Sequence, residues 1–215
     1  MKTKTKKLVT LAMLCAVAYT LMLVGRVPVV LFLKYDPKDV VIVLGGFLFG
    51  PMASFIISVV VSFIEMFTAS DTWIIGCIMN VLSSCSFACT AAWIYKKKHT
   101  LKGAVAGLAA GVVLATAAML LWNYLITPIW MMIPREEVVK LLVPVFLPFN
   151  LLKNGLNMAF VLLVYKPVVS ALRRAGLAEL SSAPASGNRR IGVTLVSALA
   201  AATLILLLLA MKGVL

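Results

Sequence analysis

The chain is poor in nearly everything a soluble enzyme uses for chemistry. Of 215 residues, seven are acidic and one is histidine, charged residues make up 13%, and the four cysteines form no CxxC pair. There is no GxxxxGK[ST] phosphate loop, no HExxH zinc helix and no Ser-His-Asp set, so ATPase, metalloprotease and triad-hydrolase chemistry have no residues to stand on. The single histidine, His99, sits in a lysine cluster. We expect no catalytic residues, no bound metal and no resident cofactor. Acids inside apolar runs are also scarce, with Glu65 alone, which argues against a self-sufficient proton- or sodium-driven carrier. What the chain has in excess is hydrophobic surface: 63% of its residues and a mean hydropathy of +1.08 place it among integral membrane proteins.

A bilayer core about 30 Å thick needs roughly 20 apolar residues per helix, and lipid offers the backbone no hydrogen bonds. Helices are therefore expected over about 8–25, 39–49, 52–69, 73–95, 103–127, 145–165 and 191–211, the second of them short. Ala16-Val17-Ala18 imitates a signal-peptide cleavage site but lies inside the first run, so we read that run as an uncleaved span. Cys15, Cys77, Cys85 and Cys89 fall within spans and read as buried thiols. Residues 176–190, GLAELSSAPASGNRR, form a polar linker that divides a membrane domain, 1–175, from a final apolar segment, 191–215. That segment reads as an appended anchor more than a wall of a site, and its removal is expected to leave binding intact.

Basic residues choose the side. Lys2, Lys4, Lys6 and Lys7 precede the first span, Lys96, Lys97, Lys98 and Lys102 join the fourth to the fifth, and Lys166, Arg173, Arg174, Arg189 and Arg190 follow the sixth. All share one face if the N-terminus is cytoplasmic. The net charge of +13 is then an orientation signal suited to anionic lipid, and not a nucleic-acid surface.

Polar groups at membrane depth need partners. A lysine at a helix centre costs roughly 2.5–3.5 kcal/mol to insert. Asn150, Lys153, Asn154 and Asn157 recur at i, i+3, i+4 and i+7 on one helix face, which favours the wall of a wet cavity over helix-to-helix glue. Asn123, among Trp122, Tyr124 and Trp130, offers an amide and ring faces to a planar ligand, although aromatics there also suit an interfacial belt. Asn80 is a weaker candidate, and Glu65 reads as a side chain reaching to the boundary. Gly103, Gly107 and Gly111 mark a close helix contact. Ala12 and Ala16 mark either internal packing or a face for another membrane subunit.

The ordered segments LKYDPKDV with GGFLFGP (Leu33–Pro51), NVLSSCSF, WNYLITPIW and PFNLLKNG resemble the riboflavin-binding S components of energy-coupling factor (ECF) transporters, over about residues 5–175. The resemblance implies an all-α six-helix membrane bundle with a pocket near the outer face, to which this chain adds a seventh span. It implies that Asp36 and Asp39 lie in a first outer loop covering the vitamin, and that Asn123, Asn150 and Lys153, with Asn80, contact the flavin. Ala12 and Ala16 would dock on a transmembrane coupling subunit that works with two cytoplasmic ATPases, in a cell-membrane importer for which riboflavin is cargo. An S component for another vitamin, a secondary carrier and a membrane subunit that binds no solute are the competing readings.

Overall fold

A computed structural model of the chain describes residues 3–174, 197–198, 200–205 and 207. Helix α1 (Thr3–Gly25) leads into a small hairpin, β1 (Val27–Val30) and β2 (Leu33–Tyr35). Helices α2 (Lys38–Phe49), α3 (Pro51–Thr68), α4 (Trp73–Lys97) and α5 (Leu101–Met131) follow, then a short α6 (Arg135–Leu141) and α7 (Leu147–Arg174). Five helical stretches are long and apolar enough to cross a membrane: α1, α3, α4, α5 and the α6–α7 run. With α2 they make the expected six-helix bundle.

α2 is the exception in length. Its 12 residues rise only about 18 Å at 1.5 Å each, so it does not span alone. It is apolar almost all round and is buried from Lys38 through Phe47, packed against α1, α3, α4 and α7, as a central helix must be. It ends at Gly50, whose φ of +91° is accessible to glycine without steric cost. Pro51 then opens α3, with a ring that fits the first helical position.

The glycine ridge on α5 packs on α4. A Cβ at Gly107 would stand 2.7 Å from the Ala91 carbonyl oxygen, and one at Gly111 2.6 Å from that of Phe87, so the two backbones are in direct contact.

Two elements go beyond the sequence pattern. Residues 27–35 carry no long apolar run and read as plain loop, yet Val27 pairs with Tyr35 and Val30 with Leu33. The hairpin tip docks through Phe32, whose ring meets Trp130 edge-on at 5.2 Å. The apolar run at 145–165 is also preceded by α6 and by a π-helical turn, Leu142–Phe146. That turn holds Pro144, which lacks the N–H for a regular α ladder.

Two apolar clusters form the interior. One surrounds α2 and includes Ile42, Ile57, Phe87 and Leu108. The other lies at the hairpin end, with Val29, Leu33, Phe146 and Phe149. The polar linker expected at 176–190 lies outside the described residues, as does much of the last apolar segment. Its described residues are helical. The four cysteines are free and only partly buried.

Candidate substrate-binding site

A cavity of about 150 Å³ opens at the hairpin end of the bundle. The hairpin and its exit supply Phe32, Leu33, Lys34 and Asp36 to its wall, and the α3–α4 connection supplies Ser70, Asp71 and Thr72. α4 contributes Met79, Asn80 and Ser83, α5 contributes Trp122, Thr127 and Trp130, and α7 contributes Phe149, Asn150 and Lys153. Aromatic and aliphatic side chains supply most of the exposed wall, while about half of the lining residues are polar or charged, a mixture suited to a small molecule with both apolar and polar parts.

Of the expected residues, Asp36, Asn80, Asn150 and Lys153 therefore share one wall. Asn123 is fully buried behind it. Its Nδ2 donates to the Met119 carbonyl at 2.7 Å, and its Oδ1 accepts from the Thr127 hydroxyl at 2.9 Å. Met119 and Thr127 are themselves on the wall, so Asn123 sets their positions. Asn154 and Asn157 are likewise fully buried. Asn154 faces Thr116 at 3.5 Å, and Asn157 accepts from the Tyr35 hydroxyl at 3.0 Å while donating to Asp39 at 3.4 Å. Burial, with Asp36 and Asp39 beside it, pushes the Tyr35 phenol well above its ordinary range, so it remains a donor. Tyr124 is turned to the Arg135 guanidinium, 5.1 Å from its ring centre.

Asp39 corrects the loop reading. It does not lie in a covering loop but in the first turn of α2, with no exposed surface, where Ser84 donates to it and the Lys153 ammonium lies 4.0 Å away. The α7 stripe thus has two depths. Asn150 and Lys153 reach the cavity, while Asn154 and Asn157 tie α7 to its neighbours.

Glu65 is a second correction. It does not reach for the boundary; it is 2% exposed and accepts from Arg26 and, at 2.5 Å, from Lys38. Lys38 also lies 3.7 Å from Asp36. Arg26 further donates to the Ala69 carbonyl at 2.8 Å, joining α1 to the end of α3. Neither Arg26 nor Lys38 has an acid at helical spacing in sequence, so only the fold could reveal this network. Arg26, Asp36 and Glu65 also reach the cavity wall. Desolvation alone would raise the Asp36 carboxyl, but Lys38, Lys153 and Arg26 outweigh it and hold Asp36 below the usual carboxylate range.

Two buried polar atoms of cavity-lining residues lack hydrogen-bond partners among the described residues: Asp36 Oδ1, an acceptor, and Arg26 Nε, a donor. Unpaired buried groups cost free energy; both atoms are enclosed, although Asp36 and Arg26 themselves line the cavity. At the mouth, Lys34 pairs with Asp71, holding that exposed carboxyl below its ordinary range.

Residues 6–168 match the family model for the substrate-specific component of ECF transporters. The chain belongs to that family. Among its relatives in this family of S components, the riboflavin transporter RibU of Staphylococcus aureus is 29% identical over 181 residues, covering 80% of this chain and 94% of the relative. The riboflavin transporter FmnP of Bacillus subtilis is 27% identical, covering 70% of this chain and 85% of its own length. A solved structure of the S component of a bacterial ECF transporter superposes with a TM-score of 0.68 at 28% identity, over 80% of this chain and 99% of the other. The chain is accordingly a multi-pass membrane protein and the substrate-binding part of a transporter.

Proposed function

We propose that this S component captures riboflavin in the cavity at the hairpin end. The observation that carries the reading is the convergence of Trp122, Trp130 and Phe149 with Asn80, Asn150 and Lys153 on one cavity. Riboflavin has a flat ring system, a uracil-like edge alternating carbonyls with N–H, and a ribityl chain of hydroxyls. Trp122, Trp130 and Phe149 suit the rings. Asn80 and Asn150 can each donate and accept along the edge, and the Lys153 ammonium can donate to a carbonyl or hydroxyl. The Asn150 Nδ2 bond to the Phe146 carbonyl, 2.8 Å long, aims its amide. Asn123, Asn154 and Asn157 act from behind the wall. Riboflavin is cargo, and no cofactor is required.

The names of the relatives support the same substrate. Family membership supports the partners: a transmembrane coupling subunit and two cytoplasmic ATPases, which supply the energy that the chain lacks. The lysine-rich end faces the cytoplasm and the cavity faces outward across the cell membrane in this reading, which the distribution of basic residues supports. Ala12 and Ala16 are exposed on α1, so no described part of the chain uses them for packing, and they are free to receive the coupling subunit. Ala12→Leu with Ala16→Leu should leave riboflavin affinity unchanged and reduce uptake by cells severalfold; normal uptake would return both residues to ordinary lipid contact.

The test of the substrate is a titration of the purified chain with riboflavin, followed by flavin fluorescence and by the absorption spectrum of protein isolated without added vitamin. One-to-one quenching supports the proposal. A folded, colourless protein that fails to quench riboflavin fluorescence rules it out.

A further inference from the structure

The family match ends at residue 168, so the C-terminal segment has no role assigned by it. Burial of that segment is one-sided. Ser197 and Ala201 are buried and Ala200 and Leu204 partly so, whereas Ala198, Ala202, Ile205 and Leu207 are exposed. The covered residues recur at i, i+3, i+4 and i+7, one face of a helix, so that face is seated on protein. Leu204 Cδ1 lies 3.5 Å from where a Cβ on Gly155 would stand. Ala201 joins the buried cluster that holds Leu156 and Ala159 of α7 with Val29 and Leu33 of the hairpin. Each side presents a small-xxx-small pair, Gly155 with Ala159 and Ser197 with Ala201. In lipid, where apolar surface gains nothing by leaving the solvent, such pairs associate by close packing.

The cluster reaches the cavity, because Leu33 and Phe149 belong to both. We propose that the C-terminal segment docks on α7 as a seventh bundle helix and braces the hairpin over the cavity, slowing escape of the bound molecule. This revises its reading as a passive anchor. The brace leaves Ala12 and Ala16 exposed, so it is compatible with docking of a membrane partner on α1. The ligand named in the test rests on the riboflavin reading; the brace itself does not.

The experiment uses the full chain. Ser197→Leu with Ala201→Leu places bulk on the covered face, and Ala198→Leu with Ala202→Leu places similar bulk on the exposed one. Two quantities are measured in detergent: the riboflavin dissociation rate by stopped flow, and hydrogen exchange of the hairpin amides, residues 27–35, without ligand. The first variant should release riboflavin roughly tenfold faster, the scale of one interhelical contact in a membrane, and exchange the hairpin amides faster, with the second variant matching the parent. If the parent does not bind riboflavin, the substrate reading fails and the exchange measurement alone decides the brace. Unchanged release in a protein that binds, or unchanged hairpin exchange, overturns the proposal.

Discussion

Replacing Glu65 with alanine should unfold the hairpin end of the bundle or lower its stability by about 3–5 kcal/mol, the usual result of removing one partner from a buried ion pair. Glu65 is the acceptor common to Arg26 and Lys38, and Lys38 has no exposed surface. Without Glu65, Lys38 loses its hydrogen-bonded partner and keeps the longer 3.7 Å approach to Asp36, and Arg26 keeps its bond to the Ala69 carbonyl. Thermal unfolding in detergent reads the effect. Glu65→Gln keeps the volume and one acceptor oxygen and should fall between alanine and the parent. A Glu65→Ala protein as stable as the parent would show that water or lipid headgroups replace the carboxylate at no cost.

Replacing Lys153 with methionine should weaken riboflavin binding by well over tenfold, since a charged hydrogen bond contributes about 1.5–3 kcal/mol. The ammonium is favourably placed for a ligand. Its nearest acid, Asp39, is 4.0 Å away, beyond hydrogen-bonding distance, and no direct hydrogen bond to Lys153 is found among the described residues. Methionine keeps much of the side-chain volume, so the loss should appear in affinity more than in thermal stability. Equal affinity in a titration would remove Lys153 from the ligand's contacts.

The bundle was legible because lipid simplifies the problem. With water absent, long apolar runs have few options other than helices, and the positions of α3 and α4 agree with their runs within two residues. The stripe on α7 was equally visible, since helical periodicity puts Asn150, Lys153, Asn154 and Asn157 on one face whatever surrounds them. How deep each sits was not, because depth depends on the helices packed alongside. The same holds for Glu65: its partners lie 39 and 27 positions away, and no local pattern links them. The hairpin is hidden in the sequence because a few residues of alternating burial, closed at the tip by Phe32 on Trp130, leave a weak period-two signal. Asp39 was misplaced because α2 begins at Lys38, directly after Pro37, and pulls the second aspartate of the motif inside.

The charged network beside the cavity holds Arg26, Lys38 and Lys153 against Asp36, Asp39 and Glu65. Three basic groups face three acidic ones. A unit charge moved through the membrane field gains or loses about 2.3 kcal/mol per 100 mV; a set of charges that sums to zero has no such net term when it moves as a rigid body along the field. A network with as many basic as acidic side chains is therefore expected to add little of its own to any dependence of binding on the membrane potential.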